Sequence, residues 1–542
     1  MGPIVERASS AVVLVCSRPV TSERGERPST WDSLVEVATS WRLASVALLS
    51  FSSGLPLGLV WIAIPAWMAR AGIDIKVIGL FTLAQAPWSF KFLWSPLMDR
   101  YPLPFLGRKR GWILVSQVGL VGFGLWLAAV SRRPEAVLVI GSLALAIGFA
   151  AATHDIAYDG YTVEVLRREE QGVAVGAKTA LYRVAMFVSG GASITLAASW
   201  SWTVVNLLLA LAYLPFLFVT WRAPEPEAVP APPRTLRDAV WGPFVGLMGQ
   251  HRAVEILAFV VLFKLSDNLT QALLRPFFVK MGFSDLDVGV ATMSLGTGGI
   301  VVGVFLGGLL TQAAGLGRAL WITGLLQMFS NLGYAVVAEV PSRPILYAAQ
   351  SFEYLTSGLG TGAFGVLLLR LTQKRFSATQ YALLSSLFSL PRILAGPPTG
   401  LLVDAIGWRD FFIFTVLTGI PGLLMLHRFV PWGVQDPEFH VAAPSRGRPL
   451  TVVGLGLRAL LGGALGWGAS LMTMASLEAM RASRAGRGFH PLDQLGPFLH
   501  PSTTGQWITS LGLVVVGLFT ALGLAAALAA RRGMVGAEPV SD

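Results

Sequence analysis

GIDIKVIGL (residues 72–80) recurs as GFSDLDVGV (residues 282–290), and the reading of that pair decides the fold. Gly72 and Gly79 fall on Gly282 and Gly289, 210 residues further on. At the same offset Gly107–Arg108 falls on Gly317–Arg318, and Gln117 on Gln327. Later, SGGASITLAASWSW (189–202) resembles AGPPTGLLVDAIGW (395–408), with Gly190/Gly396, Trp202/Trp408 and Pro215/Pro421 offset by 206. Matches that keep their order and nearly keep their spacing describe a duplicated unit.

The composition says what that unit is built of. Of 542 residues, 54% are hydrophobic and 13% charged, with a mean hydropathy of +0.63. Soluble domains carry about 25% charged residues. Many apolar runs exceed roughly 18 residues, the length that spans a bilayer as a helix. They do not alternate, as the strands of a membrane barrel would. About fourteen spans are expected, near 42–65, 76–98, 111–131, 136–158, 178–199, 202–221, 254–279, 287–311, 319–339, 344–369, 380–404, 409–430, 451–475 and 508–530.

The divisions follow from composition: a polar tail (1–40), a six-span bundle (41–221), a Pro- and charge-rich linker (222–250) and a second six-span bundle (251–430). A further linker (431–450), two extra spans (451–532) and a short tail (533–542) complete the chain. Two six-span halves make the major facilitator arrangement, an all-α polytopic membrane fold with its solute site between the halves near the midplane.

The formal net charge of +11 does not call for nucleic acid, because the bases are spread over short loops as topology signals. With both termini cytoplasmic, the inner loops hold roughly twice as many Lys/Arg as the outer ones, notably in 99–110, 166–170 and 370–375. Arg481, Arg484 and Arg487, between the last two spans, run against this trend. Cys16 is the single cysteine, so no intrachain disulfide forms. The apolar run 11–16 is too short for a signal-peptide core.

Ionisable residues inside spans are costly and point to function. Asp155 and Asp159, in AATHDIAYDGYT (151–162), share a helical face near the end of the fourth span. Two close carboxylates of that kind suit a proton site, or else they mark a helix end at the headgroups. His154 projects about 100° from Asp155. Lys91, in WSFKFLWSPLM, lines a cavity or snorkels to the inner interface. Arg183 is placed to pair with an aspartate of the fourth span or to hold an anionic solute.

Lys264 and Asp267 are one turn apart and suited to pair, with Asn268 and Gln271 as nearby polar donors. Glu353 precedes Gly358, Gly360 and Gly362, and Arg392 follows Pro391, so both stand at helix irregularities. Spread over both halves, these groups predict a polar cavity with Asp155, Asp159 or Glu353 as its proton site. In the loop after the second span, Asp99, Arg100, Arg108, Lys109 and Arg110 bridge helix ends as a gate or only fix topology. The second half keeps only Gly317–Arg318 there, so such a gate is asymmetric. GGALG (462–466) has the GxxxG spacing of close helix contact. No HExxH, CxxC, Walker loop or dinucleotide-binding glycine pattern occurs, so no enzyme, cofactor or metal site is expected and transport would be secondary.

FSSGLPLGLVWIAIPAWM (51–68), FKFLWSPLMDRYPLPFLGRKRGW (90–112), HDIAYDGYTVEVL (154–166), LFKLSDN (262–268) and KRFSATQYALLSSL (374–387) resemble the AmpG-type muropeptide permeases. The likeness covers roughly residues 41–530, and acetyl-CoA transporters share similar patterns. It implies proton-driven uptake of anhydro-muropeptides across a bacterial inner membrane, with Asp155, Asp159, Lys91, Lys264, Asp267 and Glu353 on matching ionisable positions. The alternative is a transporter of acetyl-CoA or another anionic solute. The family commonly carries Gln where this chain has His154, and the N-terminal tail has no counterpart in it.

Overall fold

The computed structural model describes residues 40–227, 231–439, 449–484, 486 and 488–532. Residues 1–39 of the expected 1–40 tail and the whole of the expected 533–542 tail lie outside that range, as do parts of both linkers. No strand forms among the described residues. The first half comprises α1 (Trp41–Arg70), the interrupted helix α2 (75–100), α3 (Arg110–Val130), α4 (Val137–Val165), α5 (Arg168–Ser199) and α6 (Trp202–Arg222). The linker contributes α7 (Leu236–Met248), started by a capping box between Thr235 and Asp238.

The second half comprises the interrupted α8 (253–280), α9 (Asp285–Ala314), α10 (Leu316–Glu339), α11 (Arg343–Leu371), α12 (377–406) and α13 (408–429). The last two are separated by a kink at Gly407, φ 80°. α14 (Val452–Arg484) and α15 (Thr504–Arg532) follow.

The repeat read from GIDIKVIGL is present in three dimensions. Gly72 and Gly282 both end a helix with left-handed backbone, φ +77° and +81°. Ile73 N–H bonds the Met68 carbonyl at 3.1 Å, and Phe283 N–H the Phe278 carbonyl at 3.2 Å, so one glycine-based helix stop is used twice. Trp67 stacks on Trp202 at 5.4 Å, and Phe277 packs on Trp408 at 5.1 Å, where the second pair stands 210 and 206 residues after the first. An irregular turn recurs as well: a 3-10 turn in α2 (Phe81–Gln85) matches a π turn in α9 (Val290–Gly296) at the same offset, whereas the π turn in α1 (Leu59–Ala63) and the break in α8 at 263–264 fall at different places in the repeat. The Gly107–Arg108 match does not extend to conformation. Gly107 is left-handed (φ +69°), whereas Gly317 lies inside α10 and its left-handed neighbour is Gly315 (φ +86°).

Eleven helices among the described residues are long and apolar enough to cross a membrane. The expected spans at 76–98 and 254–279 are instead chains of short helices. Pro87 and Pro96 start new segments within α2 because proline donates no amide hydrogen, and Lys264 caps the second segment of α8. The fourth span runs to Val165 and not to residue 158, so Asp155 and Asp159 are buried well inside it.

Packing gives the molecule its polarity. At the helix ends near residues 100, 166, 222 and 371 a single apolar core joins both halves, with Leu43, Ile113, Tyr158 and Val175 from the first and Phe259, Leu320, Leu367 and Leu384 from the second. Toward the opposite ends each half has its own core, one around Ile64, Trp67 and Leu127, the other around Phe277, Tyr334 and Phe412. Glycine makes the inner contact possible: a Cβ on Gly308 of α9 would lie 2.2 Å from the Gly172 carbonyl oxygen of α5.

α7 braces the segment between α11 and α12, where Gln250 donates to the Leu371 carbonyl (2.7 Å) and Gln380 to the Pro243 carbonyl (3.1 Å). The GGALG glycines meet α15, Gly462 against Leu524 and Gly466 against Thr520. α15 in turn covers α7 and touches α2 through Phe519 and Phe92 at 5.4 Å.

Candidate functional site

The polar contact between the halves at their shared core is centred on Asp99, which is fully buried in the last turn of α2. It accepts hydrogen bonds from Lys109 Nζ (2.5 Å) and Arg108 Nη2 (3.3 Å) of its own half. Across the interface it accepts from the backbone amides of Ala378 (3.2 Å) and Thr379 (2.8 Å) and from Thr379 Oγ1 (2.6 Å). The first turn of a helix carries amides without intrahelical partners and the positive end of the dipole. Asp99 therefore caps α12 from the other half of the molecule.

Around this contact Ser377 Oγ donates to Glu164 of α4 at 2.6 Å, and Arg108 donates to the Arg375 carbonyl. Burial draws the Lys109 ammonium, in the loop, below its ordinary value, against the opposing pull of Asp99 and Glu164. A second tie joins Arg370 Nε of α11 to Gln171 of α5 at 3.3 Å. Of the five expected gate residues, Asp99 and Arg108 bond to the second half, and Lys109 holds Asp99 and Glu164 from within its own half. Arg110 instead binds Glu225 and the carbonyl ends of α6, within its own half. Arg100 lies over the Tyr101 ring at 5.3 Å.

Deeper in the first half, α4 presents Asp155, Asp159 and Glu164 at intervals of four and five residues, a line of carboxylates leading to the closure. Asp155 lies ten residues before Val165, about 15 Å from the inner end of its helix. Asp159 is held by Lys178 Nζ of α5 (2.7 Å) and Lys91 Nζ of α2 (3.4 Å). Lys178 also lies 4.7 Å from the Tyr158 ring and 5.2 Å from the Tyr381 ring of α12, so it touches both halves. Asp155 accepts from Ser53 Oγ of α1. His154 points into the first bundle, where Nε2 meets Ser52 Oγ (3.1 Å) and Gln117 (3.4 Å), and Gln117 accepts from Thr220 (2.8 Å).

The second half builds its own cluster at the break in α8. Lys264 Nζ donates to Asp267 Oδ2 (3.0 Å), Ser357 Oγ (2.9 Å) and the Ser357 carbonyl (3.1 Å). Gln327 Nε2 and Ser357 Oγ also donate to Asp267 Oδ2, at 2.8 and 3.0 Å. Glu353, fully buried, lies against Ser330 Oγ, and its carboxyl is within hydrogen-bond reach of Asp267. The repeat sets the contrast between halves: Gln117 packs on His154, whereas Gln327 packs on Gly360, 206 residues later.

Arg183 is half-buried in the field of Tyr182 and of Tyr354 on α11. Asn268 and Gln271 are half-buried on α8, and no hydrogen bond holds their amides among the described residues. The side chain of Arg392 lies outside the described residues. Sequence reasoning missed Lys178, Glu164 and the Gln171–Arg370 tie. Lys178 stood just where the apolar run was taken to begin, yet the helix that carries it starts earlier. Among the described residues no group of His, Cys, Asp and Glu is arranged to hold a metal.

The family model described as Major Facilitator Superfamily matches residues 46–378. The chain is 41% identical over 392 residues to the anhydromuropeptide permease of Escherichia coli, covering 71% of this chain and 79% of that protein. It is 33% identical to an uncharacterized protein of Haemophilus influenzae, over 71% and 93% of the two chains. It is 30% identical to the putative transporter AmpG 4 of Rickettsia felis, over 72% and 97%. The proton:xylose symporter XylE has a similar fold, with a TM-score of 0.57 over 73% of this chain and 97% of its own at 12% identity.

Proposed function

The chain belongs to the major facilitator superfamily, among the anhydromuropeptide permeases, and from that premise we propose that it carries anhydro-muropeptides into the cytoplasm together with protons. It is a multi-pass membrane transporter and not an enzyme. The reading places it in a bacterial inner membrane, with its basic loops and both termini on the cytoplasmic side.

The observation that carries the transport mechanism is the pairing of a mid-membrane acid–lysine cluster in each half with a core that is continuous only at the inner end. Such a molecule is closed toward the cytoplasm and parted toward the outside. A solute entering from the outer face meets the two clusters before it meets the closure. Lys178 and Lys91 on one side, and Lys264 on the other, offer charged donors to the carboxylates of the stem peptide. Arg183, Asn268 and Gln271 suit the sugar and amide oxygens. The lysines are balanced by Asp155, Asp159 and Asp267, which suits a weakly anionic glycopeptide better than the phosphates of a CoA ester.

Uptake follows when the Asp99 cap on α12 releases and the halves part at the inner end. Entry of one proton supplies about 2.3 kcal/mol per 100 mV, enough to concentrate a neutral solute roughly fifty-fold. Asp155, Asp159 and Glu353 are the carboxyls assigned to that coupling.

The test is accumulation of labelled anhydro-muropeptide in a strain lacking its own permease, with and without this gene and with and without an uncoupler. Gene-dependent, uncoupler-sensitive accumulation is expected. Accumulation that the gene does not change ends the reading.

A further inference from the structure

The second-half cluster can be accounted for atom by atom. Lys264 spends its three N–H donors on Asp267 Oδ2 and on the hydroxyl and carbonyl of Ser357. Asp267 Oδ2 is saturated, because Gln327 and Ser357 donate to it as well. The other oxygen, Asp267 Oδ1, is buried and meets no donor other than the facing carboxyl. Glu353 mirrors it: one oxygen lies on Ser330 Oγ, while Oε1 is buried with no other partner. Two carboxyls within reach of each other thus each keep one buried oxygen without another donor, in a site that holds one ammonium.

Both ionised, they would put two bare acceptors face to face with a net negative charge in low dielectric, which like-charge repulsion and desolvation both oppose. One proton between them removes the repulsion and satisfies both oxygens. The donor pattern says where it is bonded. Asp267, bound by an ammonium and two further donors, is the carboxylate, and Glu353, with one hydroxyl neighbour, is the acid.

We propose that Glu353 and Asp267 share a single proton, bonded to Glu353 Oε1 and donated to Asp267 Oδ1, and that this is the proton moved in each cycle. The proposal rests on the proton-coupled reading above and narrows its three candidate carboxyls to one. The groups facing the pair are Lys264 of α8, Ser330, Gln327 and Tyr334 of α10, Tyr354 of α11, and beyond Tyr354 the Arg183 guanidinium of α5. α9 packs on α11 through Gly299, Gly303 and Gly307, and its acids, Asp285 and Asp287, lie in its first turn, away from that contact. In the outward-facing form Glu353 takes its proton from water. After the halves part at the inner end it returns that proton to water, leaving two carboxylates around Lys264 until the outer face reopens.

Difference infrared spectroscopy of the purified full chain across a pH step tests the pair without any solute. The wild type should show the carbonyl stretch of a protonated carboxyl that disappears in Glu353→Gln, changes frequency in Ser330→Ala, and persists in Asp155→Asn. A band indifferent to Glu353→Gln, in protein that remains monodisperse, overturns the proposal. If Glu353→Gln does not fold, the Ser330→Ala frequency shift decides instead, and its absence overturns the proposal.

In proteoliposomes Glu353→Gln should keep solute exchange but lose gradient-driven concentration, from about fifty-fold at 100 mV to none. Full accumulation in that variant would remove the carrier role. A wild type that moves no muropeptide refutes the transport reading alone, because the infrared result stands apart from it.

Discussion

Lys178 shows how one side chain can serve both halves of a transporter. Its ammonium neutralises Asp159 on α4 and lies against Tyr381 on α12, so the charge state of this site is felt at the interface. Lys178→Met leaves Asp159 with only the longer contact to Lys91. Breaking a buried pair from one side costs about 3–5 kcal/mol. Thermal unfolding in detergent should therefore show a marked loss for Lys178→Met and recovery of most of it in Lys178→Met combined with Asp159→Asn. Equal melting of the two variants would mean that the pair is not coupled. Spacing in the sequence brought out Asp155 and Asp159 but passed over Lys178, because hydropathy marks where a span becomes greasy and not where its helix begins. His154 was separable from Asp155 by its direction on the helix. Its partners, Ser52 and Gln117, became visible only once α1 and α3 were packed against α4.

At the scale of elements, the α5–α9 crossing is a contact of backbone on backbone, with Gly172 and Gly308 each barring a side chain on the other. Gly308→Leu should wedge the inner ends apart. In a Cys16→Ser background, a cysteine placed at Val175, which is buried beside Gly365, should react with a thiol reagent from the cytoplasmic side several-fold faster when Gly308→Leu is present. An unchanged rate would show that the crossing does not control the closure. Two helix ends, one in each half, were open to reading. Gly72 and Gly282 were matched as letters and are matched in backbone angle and hydrogen bonding. The breaks in α2 and α8 were not read, because both lie in apolar runs long enough to span, and hydropathy is blind to a backbone that changes its turn. The GxxxG run at 462–466 asked for a close neighbour, and the structure supplies it as α15.

Across the whole molecule, the closure depends on an acid of one half and the helix start of the other. Asp99→Ala removes the cap on α12 and strands Lys109 and Arg108. The population should shift toward an inner-open form, read as faster labelling of Thr379→Cys from the cytoplasmic side and as loss of accumulation. Slow labelling equal to that of the parent would place the closure elsewhere. The sequence showed the acid and its bases, but not their target, since backbone amides leave no trace in a pattern of side chains. Charge and hydropathy set the expectation of two bundles, a linker and two added spans. That the hairpin rests on α7 and α2, beside the closing segment, could not be read from them.

The inner core is one body of apolar side chains contributed by both halves, while the outer cores are two. Parting the halves at the shared core must therefore wet apolar side chains that are dry in this form. Exposed apolar area raises heat capacity by about 0.45 cal/K/mol per Å². The two faces of the cycle should then differ calorimetrically, and the balance between them should curve with temperature.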